Sequence, residues 1–143
     1  MKSIAVLRGV TDIWGPTDVY TVTRLPKDAQ VLVWGQVLAG MGRSDPPLAG
    51  PKNDPMMPLV WLRNTNGKQG RASKIVTTTM GAAVDLENEG LRRLLVNACY
   101  WALGLGDRSP VRSNVEYVGE YQPTWFGFGK FRKGIKPEDF EQK

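Results

Sequence analysis

Twenty consecutive residues, 39–58, read AGMGRSDPPLAGPKNDPMMP, with five prolines and three glycines. Neither a helix nor a strand ladder survives that density, because proline removes a backbone donor and glycine is costly to order. The segment is one long loop, and regular structure is confined to either side of it. Long structureless loops inside compact domains are usually lids or binding loops; a plain surface excursion is the other reading. The 16 Gly and 10 Pro among 143 residues exceed the roughly 12% of average usage, so few regular elements are expected overall.

The remaining composition, 41% hydrophobic and 23% charged, is that of one soluble globular domain and excludes a disordered, collagenous or coiled-coil chain. A net charge of +5 favours anions weakly but lacks the clustering of a nucleic-acid binder. There is no histidine, which removes the commonest general base, zinc ligand and triad member together. The single cysteine, Cys99, excludes an internal disulfide or a cysteine-cluster metal site, and no cofactor is expected. No window approaches the ~18 apolar residues of a membrane span, and the amino-terminal apolar run is too short for a signal-peptide core. As written, the chain is expected to be cytoplasmic; a signal peptide lost upstream would make it periplasmic or secreted.

Residues 18–23, DVYTVT, read as a short strand between Gly15-Pro16 and Leu25-Pro26. Residues 30–37, QVLVWGQV, are nearly continuously apolar and read as a central strand covered on both faces. LVWLR at 59–63 and ASKIVTTT at 72–79, separated by Asn64-Thr65-Asn66-Gly67, read as antiparallel neighbours. Asp85 is placed to cap a helix with Glu87 and Glu89 in its first turn. Leu91, Leu94, Leu95, Ala98, Ala102 and Leu105 give that helix an apolar stripe, and Gly104 and Gly106 its stop. Residues 114–121 suggest an edge strand, and no internal repeat is present. One helix covers only one face of a sheet, so the expectation is a second copy or a missing amino-terminal half.

The run Asn53-Asp54-Pro55-Met56-Met57-Pro58-Leu59-Val60-Trp61, continued by Gly70-Arg71, Thr77-Thr78-Thr79-Met80-Gly81 and the segment from Leu94 to Leu105, resembles the carboxyl half of ThuA-like (trehalose-utilisation) domains. The resemblance extends to Leu7-Arg8-Gly9-Val10-Thr11-Asp12-Ile13 and Asp18-Val19-Tyr20 upstream. Downstream it reaches Asn114-Val115-Glu116 and Pro123-Thr124-Trp125-Phe126-Gly127-Phe128-Gly129. The pattern is similar to that of planctomycete-type bacterial members. It implies an α/β chain with a partial three-layer flavodoxin/amidotransferase-like sheet, mostly parallel, with one carboxyl-terminal helix and a long Pro/Gly-rich loop. Residues 1–143 would be a single domain, the carboxyl-terminal portion of a larger ThuA-like one, with 113–143 an extended tail. Many family members carry Gly-His after the Thr-Thr strand; Gly81-Ala82 stands here, which implies a catalytically incomplete role in sugar metabolism.

Five residues are the candidate ligand-binding group: Asp54, Trp61, Thr79, Gly81 and Asp85. Thr79, Gly81 and Asp85 lie where a strand passes through a glycine turn into a helix, the place where open α/β sheets hold ligands. The same three also read as a strand threonine, a turn glycine and a cap. Asp54 and Trp61, with Met56 and Met57 beside them, offer the stacking aromatic and edge carboxylate that sugars take, and Trp61 reads equally as core. Glu87 and Glu89 are accounted for by the helix dipole. Arg63 and Arg71 flank the hairpin and would suit a carboxylate or phosphate, as would any exposed hairpin-end arginine. Cys99 reads as a small buried hydrophobe beside the packed face, not a nucleophile. No catalytic residue is assigned and no metal site is expected.

Two functions follow: a sugar-binding ThuA-like domain, or an interaction module pairing through an uncovered sheet face and the aromatic tail at 125–134. The expected partners are a sugar and a second copy or the missing amino-terminal half, with no membrane. Single-stranded nucleic acid is the weaker variant, because Glu138, Asp139 and Glu141 dilute the charge of the tail.

Overall fold

The computed structural model describes residues 5–66, 70, 72–125, 127, 129 and 133–140. Three strands, β1 (Gln30–Gly35), β2 (Met57–Asn66) and β3 (Ala72–Thr78), form one sheet in that order, and a helix, α1 (Glu89–Ala102), follows. The chain is a small mixed α/β fold. Both strand pairs are antiparallel, where the family resemblance implies a mostly parallel sheet. The connections explain the direction: a parallel neighbour needs a crossover of a dozen or more residues, and only five separate β2 from β3. The longer connection from β1 to β2 is the Pro/Gly-rich loop, which contains no helix.

The hairpin expectation is met, with Val60 opposite Thr78 and Asn66 opposite Ala72. β1 is an edge strand, not the central one. Register shifts between Val31 and Val33 and between Val33 and Trp34 break its alternation, and Trp34 is 50% exposed. β2, with Leu59, Val60 and Leu62 buried, takes the centre. Residues 18–23 form no strand. There Val19 lies by its side chain against Gly35 and no ladder partner runs beside it.

Val60 and Leu62 meet Leu94 and Ala98 of α1 and Val6 of the amino-terminal segment in one core. Each fully buried aliphatic side chain contributes about 1.5–3 kcal/mol relative to exposure. The helix begins about one turn later than a cap at Asp85 implies. Asn88 is its cap, accepting from Leu91 N at 2.9 Å, while Asp85 sits in a short 3-10 turn, Ala83–Glu87. The turn at Gly104 (φ 78°) ends the helix, as expected. Leu91, Leu94 and Ala98 define the buried stripe; Ala102 and Cys99 are exposed, which corrects the reading of Cys99 as a buried hydrophobe. Cys99 follows Ala98 by 100° of helical rotation and so turns away from the packed face.

Residues 114–121 are not a strand either. Their stretch of chain is bound by side chains of α1. Arg92 Nε donates to Val115 O at 2.8 Å, Arg93 Nε to Ser113 O at 3.2 Å, and Ser113 Oγ to Asn97 Oδ1 at 2.8 Å. Asn97 also donates to Val6 O and Arg8 O, so the helix fastens both ends of the chain to itself. The Arg92 guanidinium covers the Tyr117 ring at 4.2 Å, and Tyr117 stacks on Tyr121.

Strand alternation puts Lys74, against Trp101, on the α1 face and Leu59, Trp61 and Arg63 on the other. That second face is crossed near β1 by residues 12–28, held there by Val19 on Gly35 and by an Asp28–Arg63 ion pair at 2.9 Å. Ile75 on β3 stays 37% exposed. No helix among the described residues is long and apolar enough to cross a membrane.

Candidate functional site

Beside Trp34, where the register of β1 shifts, lies a cleft of about 410 Å³. One wall is the segment carrying Asp12, Trp14, Thr17 and Asp18; another is the end of β1 with Trp34 and Gln36; a third is the Pro/Gly-rich loop through Met41 and Arg43. Leu59 of β2 and Met80 reach in from the sheet. The loop is therefore a wall of the cleft and not a plain excursion.

Each wall is positioned by specific bonds. Asn53 accepts from Val37 N at 2.7 Å and donates to Val37 O and Leu48 O, which folds the loop back on the end of β1. Leu48 N to Val37 O and Ala39 N to Pro46 O complete the narrow neck. At its tip Gly42 N donates to Asp45, and Arg43 Nη2 reaches across to Asp12 Oδ2 at 2.6 Å. The backbone of Asp12 presses on α1, since a Cβ on Gly90 would stand 1.7 Å from Asp12 O. Glycine is required there for close approach.

The segment 14–18 is anchored from behind by Asp85, only 1% exposed. Thr17 Oγ1 lies 2.8 Å from both carboxylate oxygens, and Gly81 N and Ala82 N donate to Oδ2 at 3.2 and 3.1 Å. A Cβ on Gly15 would fall 2.6 Å from Asp85 Oδ1, so glycine lets the chain pass close over the carboxylate. Asp85 thus ties the turn after β3 to the cleft wall. Among the described residues it faces neutral donors and no cation.

Of the five candidate residues, three are brought together and none lines the cleft. Gly81 bonds Asp85; Thr79 N donates to Leu59 O, and Met80 between them reaches the cleft. Thr79 Oγ1 is shielded from solvent without a partner among the described residues. Asp54 is exposed on the far part of the loop, and Trp61 is half-buried in the middle of β2. Strand alternation puts Trp61 on the face opposite α1, with Val31 and Thr77 as its cross-strand neighbours. The carboxylates and aromatics that do line one space are the exposed Asp12, Asp18 and Trp34 with the half-buried Trp14. A repeated Trp-Gly pair, Trp14-Gly15 and Trp34-Gly35, marks both in the sequence.

Arg63 pairs with Asp28 and holds that carboxyl below its ordinary range through their hydrogen bond. Arg71 and, in the tail, Phe126, Phe128, Lys130, Phe131 and Arg132 lie outside the described residues. Glu89, at the start of α1, receives Arg112 Nη2 at 2.8 Å and also Arg93, and its carboxyl is lowered to about 2 by those two hydrogen bonds, Arg112 first. Among the described residues, no group of three or more His, Cys, Asp or Glu could hold a metal ion. Comparison with protein-family models, curated proteins and solved structures returns no match.

Proposed function

We propose that this chain is a carbohydrate-binding domain serving the utilisation of trehalose-type sugars, and that the cleft beside Trp34 is where the sugar sits. The observation that carries this reading is the pairing of two tryptophans with edge hydrogen-bonding groups in one open space. A pyranose has an apolar C–H face and a rim of hydroxyls. An indole face takes the first, and side-chain carboxylates and amides take the second. Trp34 supplies a half-exposed indole, and Asp12, Asp18 and Gln36 supply polar groups around it. The ThuA-like motifs at 53–61, 77–81 and 94–105 support the same class of ligand.

The role proposed is binding. Arg43 already occupies Asp12, and Asp85 acts behind the wall, not in the open space. Titration of the purified chain with trehalose and glucose by calorimetry tests the reading. Trp34→Ala is expected to weaken binding by roughly tenfold or more, a loss of about 1.4 kcal/mol or greater. Unchanged affinity in Trp34→Ala, or no heat from either sugar, would contradict it.

A further inference from the structure

We propose that the cleft prefers an amine-bearing sugar, a hexosamine or related cationic glycoside, over neutral and phosphorylated ones. This inference rests on the sugar reading and narrows it to a ligand class. The chain as a whole is cationic, at +5, yet among the described residues the charged groups lining the cleft are two carboxylates and one guanidinium: Asp12, Asp18 and Arg43. The guanidinium is taken, lying 2.6 Å from Asp12, so that pair is close to neutral. Asp18 is exposed and has no hydrogen bond or ion pair among the described residues. The space is therefore locally anionic on a cationic molecule.

The aromatic lining acts in the same direction. An indole face carries negative quadrupolar potential and attracts an ammonium group, and a carboxylate nearby adds its own Coulomb attraction. Trp14 and Trp34 line the space that Asp18 borders. An ammonium on the sugar ring would meet an indole and a free carboxylate, with no base to displace. A phosphate would meet the same carboxylate with repulsion, and the one arginine is already engaged.

At partly exposed sites one favourable charge contact corresponds to a preference of about three- to tenfold. The test is calorimetric titration of the full chain with glucosamine, glucose and glucose 6-phosphate at about pH 6, where amines are protonated and ordinary carboxyls ionised. Glucosamine is expected to bind about three- to tenfold tighter than glucose, with glucose 6-phosphate weakest. The preference should shrink in about 0.3 M salt, which needs no variant, and in Asp18→Asn, an exposed change whose fold a thermal melt verifies. Equal binding of glucosamine and glucose, both lost in Trp34→Ala, would overturn the amine preference and leave the sugar reading standing. Tighter binding of glucose 6-phosphate would overturn the preference as well. Absence of binding by all three would overturn the amine preference, and absence of binding by trehalose as well would overturn the sugar reading with it.

Discussion

Asp85 is enclosed on every side, and its two oxygens receive a hydroxyl from the cleft wall and two backbone amides from the turn after β3. A carboxyl group out of water is tolerated where it accepts several hydrogen bonds, and removing it strands its donors. Asp85→Ala is therefore expected to destabilise the fold by at least about 2 kcal/mol in urea denaturation, and Thr17→Val by only about 1 kcal/mol. Equal effects of the two would mean that the amides do not depend on Asp85. Glu89 makes the opposite kind of contribution, at the surface between two arginines. Its carboxyl falls from 4.5 to about 2 on folding. The folded state then binds the proton more weakly than the unfolded one, so Glu89 stabilises fully above pH 4.5 and loses that contribution as pH falls toward 2. Glu89→Gln should melt below the wild type at pH 7, with the gap closing across that window. A gap that stays constant from pH 7 to 2 would refute the assignment.

At the scale of elements, the loop over 39–58 behaves as a built wall because one side chain closes its neck. Asn53 satisfies both backbone groups of Val37 and the carbonyl of Leu48. Asn53→Ala is expected to cost about 1 kcal/mol or more. It should also speed amide exchange at Val37, Ala39 and Leu48 by about tenfold, with the β2 amides unaffected; uniform acceleration would show that the loop is not an independent unit. The hairpin of β2 and β3 and the stripe of α1 were legible because each follows a simple period. The edge position of β1 was not, since a continuous apolar run looks alike whether its residues are buried or turned outward by bulges. Nor was the path of residues 113–117, where the carbonyls of Ser113 and Val115 are taken by Arg93 and Arg92, contacts that follow from no local pattern. Asp85 was legible as a special residue and misread in role: the cap belongs to Asn88, three residues on.

On the scale of the whole molecule, α1 closes one face of a three-stranded antiparallel sheet, and residues 12–28 cross part of the other. The cleft forms where that crossing segment, the end of β1 and the long loop converge. Its walls come from residues 12–19 and 33–43, with Leu59 and Met80 added from the sheet, positions too far apart in the chain for one local motif to span. The central claim is that a sugar sits against Trp14 and Trp34. The five tryptophans each give one indole N–H signal, and they report on five different places. We would follow those five signals in a nitrogen-15 correlation spectrum during titration with glucosamine and trehalose. The account predicts that the signals of Trp14 and Trp34 move with a common saturation curve while those of Trp61, Trp101 and Trp125 stay in place. Movement centred on Trp61, or no movement at all, would contradict it.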